Sequence, residues 1–434
     1  MNRGFYLVII AQTFSSLADN ALFIAAIALI QQLSGPVWMT PVIKWWVAAG
    51  FVLLAPFVGA IADSYPKGRV MFATNALKVA GCLLMFCYEL FGFSNVGQIA
   101  LVCGAYAIVG MGAAAYSPAK YGIVTEMLPP RLLVVGNSWM EGMTVCSIIM
   151  GSVIGGTLIT PGVSGWVLSL PFLKGFIHTP AEGAIVMIGF LYAAASIMNL
   201  FIPDTHITYP VQSKNPLKLI RAFKSYMQIL WTDKLGQISL AVTTLFWGAG
   251  ATLQLIVIEW GRQHLGYGLD QSSILMGVAA VGTVIGAVLA AKVPLRASLS
   301  VLPVGVMMVL VVLAMPYIYA TWAVYTLLLL VGGLSGFFVV PMNALLQHRG
   351  YVLLTAGHSI AVQNFNEQLN ILLMVTLYTL MLWLEIPINT VVMLFGLFVA
   401  GLMFVVMLWS RSNLSKQPDL LDEIGQDGHG QALS

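Results

Sequence analysis

Twelve long apolar runs separated by short polar breaks constrain this chain more than any single motif. They lie near 5–31, 42–62, 70–91, 97–118, 137–160, 184–202, 236–258, 272–292, 299–319, 321–346, 357–383 and 387–410. A helix needs ~20 apolar residues to cross ~30 Å of hydrocarbon, and each run approaches that length. Hydrophobic residues make up 59% of the 434 residues and charged residues only 8%, too little charge to cover a water-soluble protein of this size. The bilayer is therefore the solvent. Backbone polar groups must be bonded internally there, so the predicted class is an all-α membrane protein of twelve transmembrane helices. Segment 161–183 carries apolar patches of its own and is expected to form a partly buried hairpin.

The net charge of +3 is unevenly placed. With the N-terminus inside, only Lys44, Lys174 and Arg262 fall in external segments, Lys78 and Lys120 lie within helices, and the remaining Lys and Arg are cytoplasmic. That asymmetry predicts cytoplasmic N- and C-termini. It also points to anionic lipid rather than nucleic acid as what the basic residues face. An apolar stretch that continues past Asp19 to Ile30 with no small-residue cleavage site predicts an uncleaved first helix. The four cysteines form no CxxC or Cys/His cluster and are expected to be packing residues. No nucleotide-binding, hydrolase or metalloprotease motif is present, and no cofactor or metal site is expected.

The chain is internally duplicated. GMGAAAYSPAKYGIVTE at 110–126 aligns with GLSGFFVVPMNALLQHR at 333–349, matching Gly110 with Gly333, Pro118 with Pro341 and Lys120 with Asn343. Two like halves in a membrane protein are the architecture of a transporter. The expected organisation is an N-terminal six-helix half at 1–203, a cytoplasmic linker at 204–235, a C-terminal six-helix half at 236–410 and a disordered cytoplasmic tail at 411–434. Within the linker, Lys214, Lys218, Arg221 and Lys224 recur at helical spacing against Leu217, Ile220, Phe223 and Met227. This predicts an amphipathic helix on the membrane surface. A plain connector and a docking site for anionic lipid or a partner enzyme both fit that pattern.

Polar residues inside apolar runs mark candidate sites. Asp19 and Asn20 lie roughly 21 Å into the first helix at 1.5 Å per residue, and an intramembrane carboxylate is a functional candidate by default. Asp19 is expected to bind a cationic head group, carry a proton or bond a neighbouring helix. Glu367 sits in QNFNEQLN with Asn364 among its amides, a density that no lipid-facing surface tolerates. Substrate contact and interhelical hydrogen bonding are the two readings. Glu141 is shallower and is expected in a salt bridge at the cytoplasmic rim. Lys120, beside Tyr116, either snorkels to the interface or meets a phosphate. Lys78 is deeper and needs a partner, most simply a structural one. Trp247 and Gln254 are expected to line a largely apolar cavity wall with sparse polar anchors, which suits an amphiphile better than a sugar.

The loop Gly59-AIA-Asp63-SYPK-Gly68-Arg69 resembles the signature loop of the major facilitator superfamily, and its opposite charges between two helices suggest a gate. ADNAL, PFVGAIADSYPKGRVM, GMGAAAYSPAKYGI, LFWGAG, GFFVVPMNALLQ and AVQN together resemble the bacterial lysophospholipid transporters, a branch of that superfamily. The resemblance spans both halves. It implies two six-helix bundles around a central cavity in the bacterial inner membrane, with no enzymatic step. It further implies inward flipping of lysophospholipids such as lysophosphatidylethanolamine by alternating access. A cytoplasmic acyltransferase with acyl-carrier-protein synthetase activity would re-acylate the product. Under it Asp19, Asn20, Tyr116, Lys120, Trp247, Gln254, Asn364 and Glu367 are substrate-site candidates, and Gly59, Asp63, Gly68, Arg69 and Glu141 are gating candidates. The family commonly carries a basic residue where Gln254 stands, so the phosphate contact is expected elsewhere. A proton-coupled exporter of drugs or small metabolites is the competing class, favoured by Asp19 and Glu367.

Overall fold

The computed structural model describes residues 3–34, 39–170, 177–210, 212–213, 215–267 and 269–424. Fourteen α-helices make up the described fold. They are α1 (Arg3–Gln32), α2 (Met39–Ser64), α3 (Lys67–Phe86), α4 (Asn95–Met127), α5 (Leu133–Ile159), α6 (Pro161–Ser169) and α7 (Pro180–Asn199). Then follow α8 (Pro216–Thr232), α9 (Lys234–Gln263), α10 (Leu269–Ala290), α11 (Leu302–Val312), α12 (Thr321–Leu353), α13 (Ala356–Trp383) and α14 (Ile388–Lys416).

Ten of these segments are long and apolar enough to span a bilayer, with α11 counted together with the 3-10 turn before it. Helix α10 contributes a shorter apolar stretch, Ile274–Ala290. Helix α13 is long and carries an amide-rich segment. These two occupy the positions of the other two predicted spans. The short α6 buries Ser164 and Val167, so the expected hairpin at 161–183 includes a helical arm; Lys174 lies outside the described residues. Residues of the linker form α8, capped by the Asn215 side chain, which accepts from the Leu217 amide; Lys214 lies outside the described residues.

The described residues pack into two compact units, 1–123 with 147–212 and 124–146 with 213–434. The first has a core in which α1, α3, α4 and α7 bury Leu22, Met85, Val102 and Tyr192. Glycines permit the closest approach there. A Cβ on Gly151 of α5 would lie 2.5 Å from the Leu17 carbonyl of α1. In the second unit, Gly282 and Gly286 of α10 meet the backbone of Leu329 and Gly333 on α12, while Gly332 and Gly336 meet Ala279 and Thr283 in return. Small residues bring membrane helices into backbone contact in this way.

This grouping differs from a division at the linker alone, because the first half of α5 packs with the second unit. Its Asn137 and the Gln347 of α12 exchange two hydrogen bonds of 2.9 Å. The tail also departs from the expected disorder at 411–434. Helix α14 continues to Lys416, a 3-10 turn follows at Pro418–Leu421, and Leu420 and Ile424 are buried. Two apolar side chains in an otherwise polar tail suffice to anchor it. Residues beyond Ile424 lie outside the described residues.

Candidate functional site

Polar side chains inside the apolar helices gather in one cluster per unit. In the first unit Asp19 is the centre. Lys78 of α3 donates to its two carboxylate oxygens at 2.8 and 3.0 Å, and the Tyr192 hydroxyl of α7 donates at 2.6 Å. Lys78 also reaches the Ser15 hydroxyl at 3.1 Å, and Ser15 donates to Asn75 at 2.8 Å. The rings of Tyr116 and Tyr192 lie 5.1 and 5.3 Å from the ammonium. An isolated charge at this depth is costly, and the pairing explains how both are tolerated. The two members differ in access: the Lys78 side chain is 1% exposed and that of Asp19 34%. A carboxylate held by a buried cation yet open on one side can exchange partners with an incoming charged group.

Asn20 bonds back to the Ser16 carbonyl of its own helix at 2.8 Å. Tyr116 is buried against Lys78. Lys120 is half-buried, with its ammonium 4.2 Å from the Tyr121 ring centroid. The structure thus joins Asp19 and Tyr116 through Lys78.

The loop between α2 and α3 is compact. Asp63 is buried and pairs with Lys67 at 3.2 Å, and Lys67 also donates to the Ala62 carbonyl and lies over the Tyr209 ring. Gly59 is buried within α2. Gly68 lets α3 start against the end of α7, since a Cβ there would lie 3.0 Å from the Asn199 carbonyl. Arg69 is exposed and lines a cleft of about 190 Å³ with Asn199 and Asp204.

In the second unit an amide chain links two buried carboxylates. Gln363 donates to Glu367 at 2.7 Å and to the Asn343 side-chain oxygen at 3.1 Å, and Asn343 donates to Glu141 at 3.1 Å. Glu141 and Glu367 are 3% and 6% exposed. Glu141 is thus buried and accepts from an amide of α12. Asn366 bonds Trp231 of α8, and Asn370 bonds the Thr244 carbonyl of α9 while packing on Gly248. The amides of α13 therefore serve interhelical bonding in this conformation. Asn364 is buried on the same helix. Trp247 stands edge-to-face with Phe246 at 5.7 Å, and both it and Gln254 are half-buried on α9.

Below this cluster, Arg349 at the end of α12 donates to both carboxylate oxygens of Asp233, the N-cap of α9, and pairs with Glu423 of the tail at 3.1 Å. Sequence reasoning did not single out Ser15, Asn75, Tyr192, Asn137, Gln347 or this arginine node. Polar residues in apolar runs were the available signal for the helical ones; Asp233 and Glu423 lie in polar segments and gave none.

A helical membrane protein with polar groups buried between its helices and no metal-binding cluster among the described residues has the construction of a solute carrier. A sequence profile of the Major Facilitator Superfamily matches residues 7–369, and the chain belongs to that family. It has the superfamily's all-α transporter fold. The lysophospholipid transporter LplT of Serratia proteamaculans (strain 568) is 40% identical over 382 residues, 88% of this chain and 89% of the relative. The protein of the same name from Salmonella arizonae is 40% identical over 412 residues, 94% of this chain and 96% of the relative. In fold the chain is similar to a bacterial homologue of the iron transporter ferroportin (TM-score 0.71, 13% identity, 95% of this chain and 100% of that one). It is also similar to the transporter FucP (TM-score 0.66, 12% identity, 94% and 98%).

Proposed function

We propose that this protein is a lysophospholipid transporter that moves its substrate inward across the bacterial inner membrane by alternating access of six-helix halves at 1–203 and 236–410. The observation that carries this is the near full-length similarity, at 40% identity, to relatives named for that activity. The chemistry of the first cluster agrees with it. A lysophosphatidylethanolamine head group carries an ammonium and a phosphate. The ammonium competes with Lys78 for the open side of the Asp19 carboxylate, so the ion pair can open to the positive charge of the ligand. Asn20, Tyr116 and Lys120 flank the path of the head group. Trp247, Gln254, Asn364 and Glu367 are assigned to the wall that meets the rest of the molecule.

Gating is assigned to two devices. The Gly59–Arg69 loop, with Asp63 held by Lys67, sets how α2 and α3 move. The bonds of Asn137 and Glu141 to α12 form a lock that must break for α5 to leave α12. The flipped product would arrive where a cytoplasmic acyltransferase can re-acylate it.

The test is head-group-labelled lysophosphatidylethanolamine translocation by purified protein in proteoliposomes, comparing wild type with Asp19→Ala. Robust translocation that Asp19→Ala slows severalfold supports the reading. An unchanged rate in a folded variant removes Asp19 from it.

A further inference from the structure

One face of α8 has no part in the transport reading. The helix packs inward through Phe223, whose ring meets Phe365 edge-on at 5.5 Å, and Tyr226, whose ring centroid lies 4.5 Å from that of His358. Asn366 donates to the Met227 sulfur at 3.2 Å and accepts from the Trp231 indole at 3.3 Å. These contacts use one side of the helix. Outside these contacts Lys218, Arg221 and Lys224 are all exposed, together with Leu217 at 74% and Ile220 at 47% exposure. No carboxylate occurs anywhere in PLKLIRAFKSYMQILWT.

A connector bathed in water gains nothing by exposing a leucine and an isoleucine among three cations. An interfacial helix does gain. Its apolar side chains enter the boundary between head groups and acyl chains, while its cations meet lipid phosphates. The absence of acidic residues matches an anionic leaflet, which attracts each Lys or Arg near its surface. The inward contacts then give the surface a route to the transport helices, since Asn366 lies next to Glu367 on α13 and Asp233 at the end of α8 is clamped by Arg349.

We propose that the exposed Leu217–Lys224 face of α8 binds anionic phospholipid of the surrounding leaflet, as a bound lipid separate from the transported one, and that this lipid steadies α8 against α13. The claim holds whatever substrate is carried, and it is tested without measuring transport. Full-length protein is placed in nanodiscs of phosphatidylethanolamine alone or mixed with phosphatidylglycerol, and amide hydrogen exchange is followed over 216–232. We expect exchange in α8 to slow about tenfold when phosphatidylglycerol is present, with high salt reversing the effect. The Lys218→Glu, Arg221→Glu, Lys224→Glu variant should lose the lipid response while α9–α14 keep their protection, and Arg221→Lys should retain it. Equal exchange in the two lipids would overturn the proposal. So would loss of protection by the triple variant in phosphatidylethanolamine alone, because the face would then be packing on protein. Protection that appears only on adding a soluble protein would likewise overturn it.

Discussion

Lys78 is sealed inside the helical bundle with its ammonium 2.8 Å from Asp19, whereas the Asp19 carboxylate remains about one-third open. The pair is therefore asymmetric. Removing Asp19 strands a buried cation, while removing Lys78 leaves an anion that is partly solvated. Breaking a buried ion pair costs about 3–5 kcal/mol. Asp19→Ala should lower thermal stability by an amount near that range, Lys78→Met by less, and the double variant should recover part of the loss. Melting of the purified variants in detergent checks the order. Equal losses for the two single variants would remove the asymmetry.

The reciprocal amide pair of Asn137 and Gln347 makes a second prediction. Gln347→Leu breaks both bonds and strands the buried Asn137 side-chain oxygen, while its nitrogen keeps the Leu133 carbonyl, and an orphaned polar group costs about 1–3 kcal/mol. The lock between α5 and α12 should loosen. Hydrogen exchange in 133–146 and 340–349 is expected to rise together. A rise confined to one helix would show that the pair does not couple them.

Glycine spacing separates packing positions from free ones. A Cβ on Gly286 would overlap the Gly333 carbonyl, whereas one on Gly277, on the same helix, meets nothing within 4 Å. Gly286→Ala should sharply reduce the yield of folded protein by forcing α10 from α12, while Gly277→Ala should match wild type in size-exclusion profile and melting temperature.

Arg349 makes a fourth prediction. It holds Asp233 and Glu423 together, and Arg296 bonds the Ile424 carbonyl nearby at 3.2 Å. Arg349→Leu should free the tail beyond Lys416. Limited proteolysis would then cut within 417–424, where wild type resists.

Much of the architecture was legible because apolar length is a one-dimensional property. Ten spans follow from it. Helix ends were less legible. The fourth run was expected to stop at Pro118 and the tenth at 346, yet α4 continues to Met127 and α12 to Leu353. Proline within a membrane helix is tolerated when neighbouring groups satisfy the backbone, so Pro118 and Pro341 sit inside their helices. For the site, charge in an apolar run exposed Asp19, Glu367 and Lys78 as individuals. Pairing Asp19 with Lys78 required knowing which faces of α1 and α3 meet, and no periodicity fixes that. The same limit hid the bond of Glu141 to Asn343.

The duplicated segment shows why equal positions need not do equal work. Lys120 and Asn343 align in the repeat, but Lys120 stacks on its neighbouring tyrosine while Asn343 bridges Glu141 and Gln363. Asn343→Ala should lower stability by about 1–3 kcal/mol per stranded partner. Melting curves of wild type and variant test this.

The most direct measurement is uptake of radiolabelled lysophosphatidylethanolamine into proteoliposomes holding only this protein, with and without a proton gradient. The account predicts saturable uptake that Asp19→Ala slows severalfold in protein of normal fold. No lyso-lipid uptake, together with proton flux triggered by a hydrophilic solute, would contradict it.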